Sequence, residues 1–142
     1  MSKRFHGTDC ESILEIADEG VIEPSEISAE EIFPKLSTQQ KVYNTEEVVW
    51  VTDSEDCARS YAWGGGYFVI DTSSKKVVSD RGSSYGVIPG EVPLADVEAI
   101  MLEENALGDR DFLLELADKL SENGFGGITL QEYQGPTYEI KA

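Results

Sequence analysis

His6 is the only histidine of the chain, and it stands in the run Arg4-Phe5-His6-Gly7-Thr8, directly before a glycine and a helix signal. An imidazole at a strand-to-helix junction can face a cleft, because the backbone beyond it is already turning. Its two ring nitrogens can hold a ligand hydroxyl or carry a proton. Thr8-Asp9-Cys10-Glu11 has the form of a capping box with Thr8 as N-cap. The free N–H groups and the positive end of that helix would then favour an anionic ligand beside His6, Gly7 and Thr8. By itself a lone histidine is more often an ordinary surface or partly buried side chain, so the weight of His6 depends on which other segments meet it.

Metal and phosphate motifs are sparse. Cys10 and Cys57 have no CxxC spacing and no histidine neighbour, so a zinc site is not expected, and two free thiols are the simpler reading over a disulfide. Gly64-Gly65-Gly66 and Gly82-Ser83-Ser84 are followed by no Gly-Lys-Ser/Thr and lack GxGxxG spacing, so both read as turns. Carboxylates are abundant, with 28 Asp and Glu against 11 Lys and Arg and a formal charge of −17. Such a surface repels phosphate backbones, which disfavours direct nucleic-acid binding; a basic protein partner or simple solubility fits better. Nucleic-acid mimicry fits less well, because the acids are dispersed among hydrophobic residues.

The 142 residues fit a single domain, residues 1–142, and a 40% hydrophobic share is enough for a core. With no run of membrane-helix length and no signal peptide, a soluble, cytoplasmic protein without membrane contact is expected. The elements that position His6 follow from periodicity. A strand ends at His6, and a helix with Ile13, Ile16 and Ala17 on one face stops at Gly20. Residues 21–44, with Pro24, Pro34 and Glu30-Glu31, read as a loop with one helical turn near 29–33. Val48-Val49-Trp50-Val51 is a strand that breaks at Thr52-Asp53-Ser54, where Asp53 caps a helix over 55–63 carrying Ala58 and Tyr61. Tyr67-Phe68-Val69-Ile70-Asp71 is a strand with a continuation over 75–78, and the Gly-, Ser- and Pro-rich stretch 79–93 reads as a loop or lid. A strand over 96–102 follows. Asp109 caps a helix bearing Leu113, Leu116, Ala117 and Leu120 that ends at Gly124, and residues 126–141 close the chain as a hairpin. The expected class is α+β, with short strands in two packed groups.

Three segments now resemble one family. Phe5-His6-Gly7-Thr8, the pair Val51-Thr52-Asp53-Ser54 and Ala58-Arg59-Ser60-Tyr61-Ala62, and the stretch from Gly124-Phe125-Gly126-Gly127 through Gln131-Glu132-Tyr133-Gln134-Gly135 look like the ADP-ribosyltransferases of the His-Tyr-Glu branch. The likeness runs in order along nearly the whole chain, although each motif is short and degenerate. It is strongest toward small phage-type members, whose closing hairpin has a similar Gln-acid-x-Gln-Gly turn. The resemblance implies a compact ADP-ribosyltransferase-like split β-sandwich with flanking helices and NAD+ bound as substrate between two small sheets. It implies mono-ADP-ribosyl transfer, a glycosyltransferase reaction, onto a host protein such as a nucleic-acid-binding defence protein in the host cytoplasm. In it His6 would hydrogen-bond the adenosine-side ribose, Gly7 would offer backbone contacts to nicotinamide with Thr8 and Thr52 beside them, and Tyr61 would stack on the ring.

Breaking the bond between nicotinamide and ribose creates an oxocarbenium-like cation that a nearby carboxylate stabilises. The branch carries its glutamate at the start of the final strand, where this chain has Thr137 and Tyr138. Glu132, the acid of the turn motif, is the first choice to replace it, and Glu139, two residues beyond Thr137 on the same strand face, is the second. From the residues alone, both glutamates also read as solvated charge, Tyr61 as a core aromatic, Thr52 and Asp53 as turn and cap, and Arg59 and Arg81 as surface ion-pair partners rather than pyrophosphate ligands. The alternative function is a catalytically degenerate relative whose acidic surface inhibits a basic partner. An RNA 2′-phosphotransferase ranks last, because it needs more basic residues than the chain supplies.

Overall fold

The computed structural model describes residues 3–24, 48–75, 77–79, 85–132 and 139–141. Strand β1, Lys3–Thr8, runs into helix α1, Cys10–Glu19. Asp9 caps α1 in place of the expected Thr8, its carboxylate accepting from the Ser12 N–H at 2.8 Å. Thr8 is still paired with Gly66 in the sheet, and the cap falls to the next side chain able to accept from the first turn. Ile13, Ile16 and Ala17 are buried as their spacing predicts, and Gly20, at φ 81°, ends the helix by donating to the Ile16 carbonyl.

After β2, Val21–Ile22, the described chain resumes in β3, Val48–Thr52. Helix α2, Glu55–Ser60, is capped by Ser54 rather than Asp53. Thr52 Oγ1 accepts from the Ser54 N–H at 3.1 Å, which uses up one residue of chain before the first helical turn can close. The helix stops before 63 in a turn that holds Trp63 at φ 41°, with Gly64 at 81°. For a bulky side chain that left-handed backbone costs roughly 1–2 kcal/mol. Three strands, β4 (Gly66–Asp71), β5 (Val78–Ser79) and β6 (Tyr85–Pro89), then lead through β7 (Val92–Pro93) and a short 3-10 turn to β8, Val97–Leu102. Helices α3, Glu104–Leu107, and α4, Arg110–Glu122, precede the hairpin β9, Thr129–Glu132, and β10, Glu139–Lys141. Asp109 caps α4 as expected, and Leu116 and Leu120 are buried as predicted, with Phe112 completing the buried stripe in place of Leu113 and Ala117, which are only partly buried.

Eight strands share one hydrogen-bonded order, β10-β9-β8-β4-β1-β3-β6-β5, beside a two-stranded β2-β7 pair. This is a small α+β fold with an open sheet. The weakest join is internal: β1 and β3 share a single ladder pair, Phe5 with Thr52. Two further expectations change. The stretch 79–93 is not all loop, because β6 pairs residue for residue with β3 from Val48↔Pro89 to Thr52↔Tyr85, and β5 joins β6 rather than continuing β4. Glycine and proline at its flanks hid a strand that forms only against a distant partner. The helical turn near 29–33, Arg81, the Gly82-Ser83-Ser84 turn, Thr137, Tyr138 and the middle of the hairpin turn lie outside the described residues.

The two sheet faces have separate cores. Phe68, Ile70, Ile100, Leu102 and Leu130 pack under Ile13, Ile16, Leu116 and Leu120 of α1 and α4. Tyr67 and Val69 pack with Phe5, Ala99 and Met101 against Ala58 of α2. Asn123 Nδ2 donates to the Ala17 carbonyl at 2.8 Å and so joins the ends of α1 and α4. On the other face the Tyr67 hydroxyl donates to Glu55 Oε2 at 3.0 Å, and Phe5 meets the Tyr67 ring edge-on with centroids 5.5 Å apart. The helix α2 lies directly on β1 because residue 7 is glycine: a β-carbon there would overlap the Ala58 carbonyl oxygen. Among the described residues no helix is long and apolar enough to cross a membrane.

Candidate functional site

Where β1 parts from β3, the His6 ring reaches across. Its Nδ1 lies 2.6 Å from the Trp50 carbonyl oxygen. A carbonyl only accepts, so Nδ1 carries the proton and, in the neutral ring, Nε2 is left as an acceptor. Burial pushes the imidazole below its ordinary value of 6.5, and the Trp50 hydrogen bond opposes this more weakly. His6 is therefore neutral at physiological pH, a fixed acceptor rather than a cation. That suits it to a ligand hydroxyl or N–H.

A cleft of about 340 Å³ opens beside this ring. From β1 it takes Phe5, His6 and Gly7; from β3 Trp50, Val51 and Thr52; and from the α2 segment Ala58 and Tyr61. The volume falls in the range of small-molecule sites, and aromatic and aliphatic walls with a few polar groups are what a flat heteroaromatic ring requires. Tyr61 is 49% exposed, which removes the reading of it as a core aromatic. Thr52 is buried, and its hydroxyl serves the turn to Ser54, as the residues alone suggested, while also lining the cleft.

The opposite side of His6 faces a second, polar cleft of about 200 Å³, lined by Thr8, Ser12, Glu15, Ile16, Glu19, Ile22 and Glu23. A hydrogen bond with Glu23, then slight desolvation and the charges of Glu23, Glu15 and Asp18, raise the Glu19 carboxyl above its usual range. The site is thus apolar on one side of the histidine and acidic on the other.

His6, Gly7, Thr52 and Tyr61 converge, and Thr8 adjoins them through the second cleft. The glutamates of the closing hairpin stand on strands away from β1 in the sheet order. In register, Glu132 aligns with Leu102, Gly66 and Thr8, three strand spacings or about 14 Å across the sheet from β1. Glu139 aligns with Gln131, Met101, Tyr67 and Gly7, one strand farther, at about 19 Å. Adjacent rows alternate in face, so Glu132 takes a register position on the face of His6 and Glu139 one on the face of Gly7. Arg59 is paired with Asp56 at 3.6 Å.

No protein-family model and no curated protein sequence matches this chain. The site therefore rests on its own geometry, and that geometry contains residues the sequence reading passed over. Trp50 was legible as a strand residue, yet its backbone carbonyl, which fixes the histidine tautomer, has no signature in side-chain identity. Phe5 and Val51 read as ordinary strand positions.

Proposed function

We propose that the chain is a mono-ADP-ribosyltransferase that takes NAD+ at the β1–β3 cleft and passes ADP-ribose to a protein, acting in the cytoplasm of a host cell. The observation that carries this reading is the meeting of His6, Gly7 and Tyr61, from opposite sides of one opening, with the histidine held as a neutral acceptor. In this reading the parting of β1 from β3 is the seam of a split β-sandwich of ADP-ribosyltransferase type. The nicotinamide lies between Tyr61 and the β1 backbone at Gly7, with Thr8 and Thr52 at its margins, and a ribose hydroxyl donates to His6 Nε2.

The bond between ribose C1′ and the nicotinamide nitrogen then breaks with its electron pair leaving on nicotinamide. The oxocarbenium-like ribose forms its new bond to the acceptor, whose proton leaves to a base. Glu132 is the carboxylate assigned to the developing cation, with Glu139 as the second choice. Its removal is expected to slow the reaction by about a hundredfold or more. Incubation with radiolabelled NAD+ and a cell lysate tests this. Wild-type protein should release nicotinamide and label a protein band, Glu132→Ala should do neither, and His6→Ala should bind NAD+ about tenfold more weakly for the lost hydrogen bond. Absence of NAD+ binding by the wild type overturns the reading.

A second reading is favoured by one specific observation: both hairpin glutamates belong to strands removed from β1 in the sheet order, β9 by two intervening strands and β10 by three. In it the chain is an acidic inhibitor of a basic protein that has lost turnover. NAD+ bound without nicotinamide release, by wild type and Glu132→Ala alike, would select it.

A further inference from the structure

Trp63 is the most exposed large hydrophobic side chain among the described residues, at 75%. It stands in the turn that follows Tyr61, and the turn is fastened on several sides. The Gly65 N–H donates to the Ala62 carbonyl at 2.7 Å, the Glu103 N–H to the Gly65 carbonyl at 2.8 Å, and the Cys10 thiol to the Gly64 carbonyl at 3.5 Å. An indole on a fixed backbone offers contact area at little entropic cost.

The surroundings of that turn are acidic. The vacant side-chain position of Gly64 is 3.9 Å from Glu103 Oε2. After burial, the carboxylates of Asp109, Asp9 and Glu103 are what push the neighbouring Cys10 thiol up, so three negative groups act on one point beside the turn. Anionic membranes and nucleic acids are repelled from such a surface, and so is a second copy bearing the same −17. A guanidinium combines what the patch complements, a flat face for the indole and a positive charge for its rim.

We infer that Trp63, with Glu103 beside the turn that carries it, is a docking surface for an arginine-rich polypeptide segment. The surface operates whether or not the neighbouring cleft turns over NAD+.

A fluorescently labelled nona-arginine peptide, followed by anisotropy at about 0.15 M salt, tests this with four proteins. Trp63→Gly should bind about fivefold or more weakly than wild type. Because glycine accepts the left-handed backbone, the melting temperature of this variant should be unchanged or higher, which separates lost binding from lost folding. Glu103→Gln should weaken binding about twofold to threefold, and Glu91→Gln, an equal loss of charge beside the β2-β7 pair, should leave it unchanged. The inference fails if the wild type does not bind, if Trp63→Gly binds as tightly as wild type, or if Glu91→Gln loses as much as Glu103→Gln, which would mark bulk charge attraction. A dimer in sedimentation that disappears in Trp63→Gly would also overturn it, in favour of a second copy as occupant.

Discussion

His6 illustrates how one hydrogen bond decides what a side chain can do. The Trp50 carbonyl accepts from Nδ1–H and burial resists a second proton, so Nε2 is left as an acceptor. The lowered basicity has a stability consequence with a definite sign. In the unfolded chain His6 protonates near its ordinary value of 6.5, but the folded ring resists until lower pH. Its contribution is therefore complete above about pH 6.5 and is lost as pH falls toward the folded value. Urea denaturation from about pH 7.5 down to pH 5 should show the wild type losing stability relative to His6→Asn. Parallel curves for the two proteins would contradict the burial argument.

At the scale of elements, the site depends on α2 lying close enough to β1 for Tyr61 to reach the cleft. Gly7 permits this approach, and the Tyr67–Glu55 hydrogen bond ties the start of the helix to β4. Gly7→Ala should push the Ala58 carbonyl and the end of α2 outward. A loss of about 1–3 kcal/mol in urea denaturation is expected, as for other overpacked positions, and under the proposed function NAD+ binding should weaken with it. Retention of wild-type stability would show that α2 is not seated on β1 as described. Glycine at position 7 thus acts through the space it leaves, a role added to the backbone contacts that the family resemblance implies. The β6 strand carries a different lesson. Val87 and Ile88 have strand-forming side chains, but only the ladder to β3 turns them into a strand.

For the whole molecule, charge is the dominant quantity. A net −17 on 142 residues produces self-repulsion in the compact state that dissolved ions screen. Raising NaCl from about 0.01 M to about 0.5 M should increase the melting temperature by a few degrees, on the order of 1 kcal/mol; a constant or falling value would mean that the acids are already balanced by local pairing. Much of the architecture was legible beforehand where its cause is local. Asp109 capping α4, Gly20 stopping α1, the Ile13, Ile16 and Ala17 stripe, and the pairing of the closing hairpin each follow from residues within a few positions of one another, as does the acidic character of the surface. The Thr8 cap missed by one residue because Thr8 is still held by its sheet partner Gly66, and the Asp53 cap because the Thr52–Ser54 turn comes between the strand and the helix. The β6 strand, the parting of β1 from β3, the seat of α2 on Gly7 and the tautomer of His6 were decided only by tertiary structure. Each depends on groups remote in the chain, as His6 and Trp50 are by 44 residues, meeting through backbone atoms that every residue shares and no side-chain pattern records.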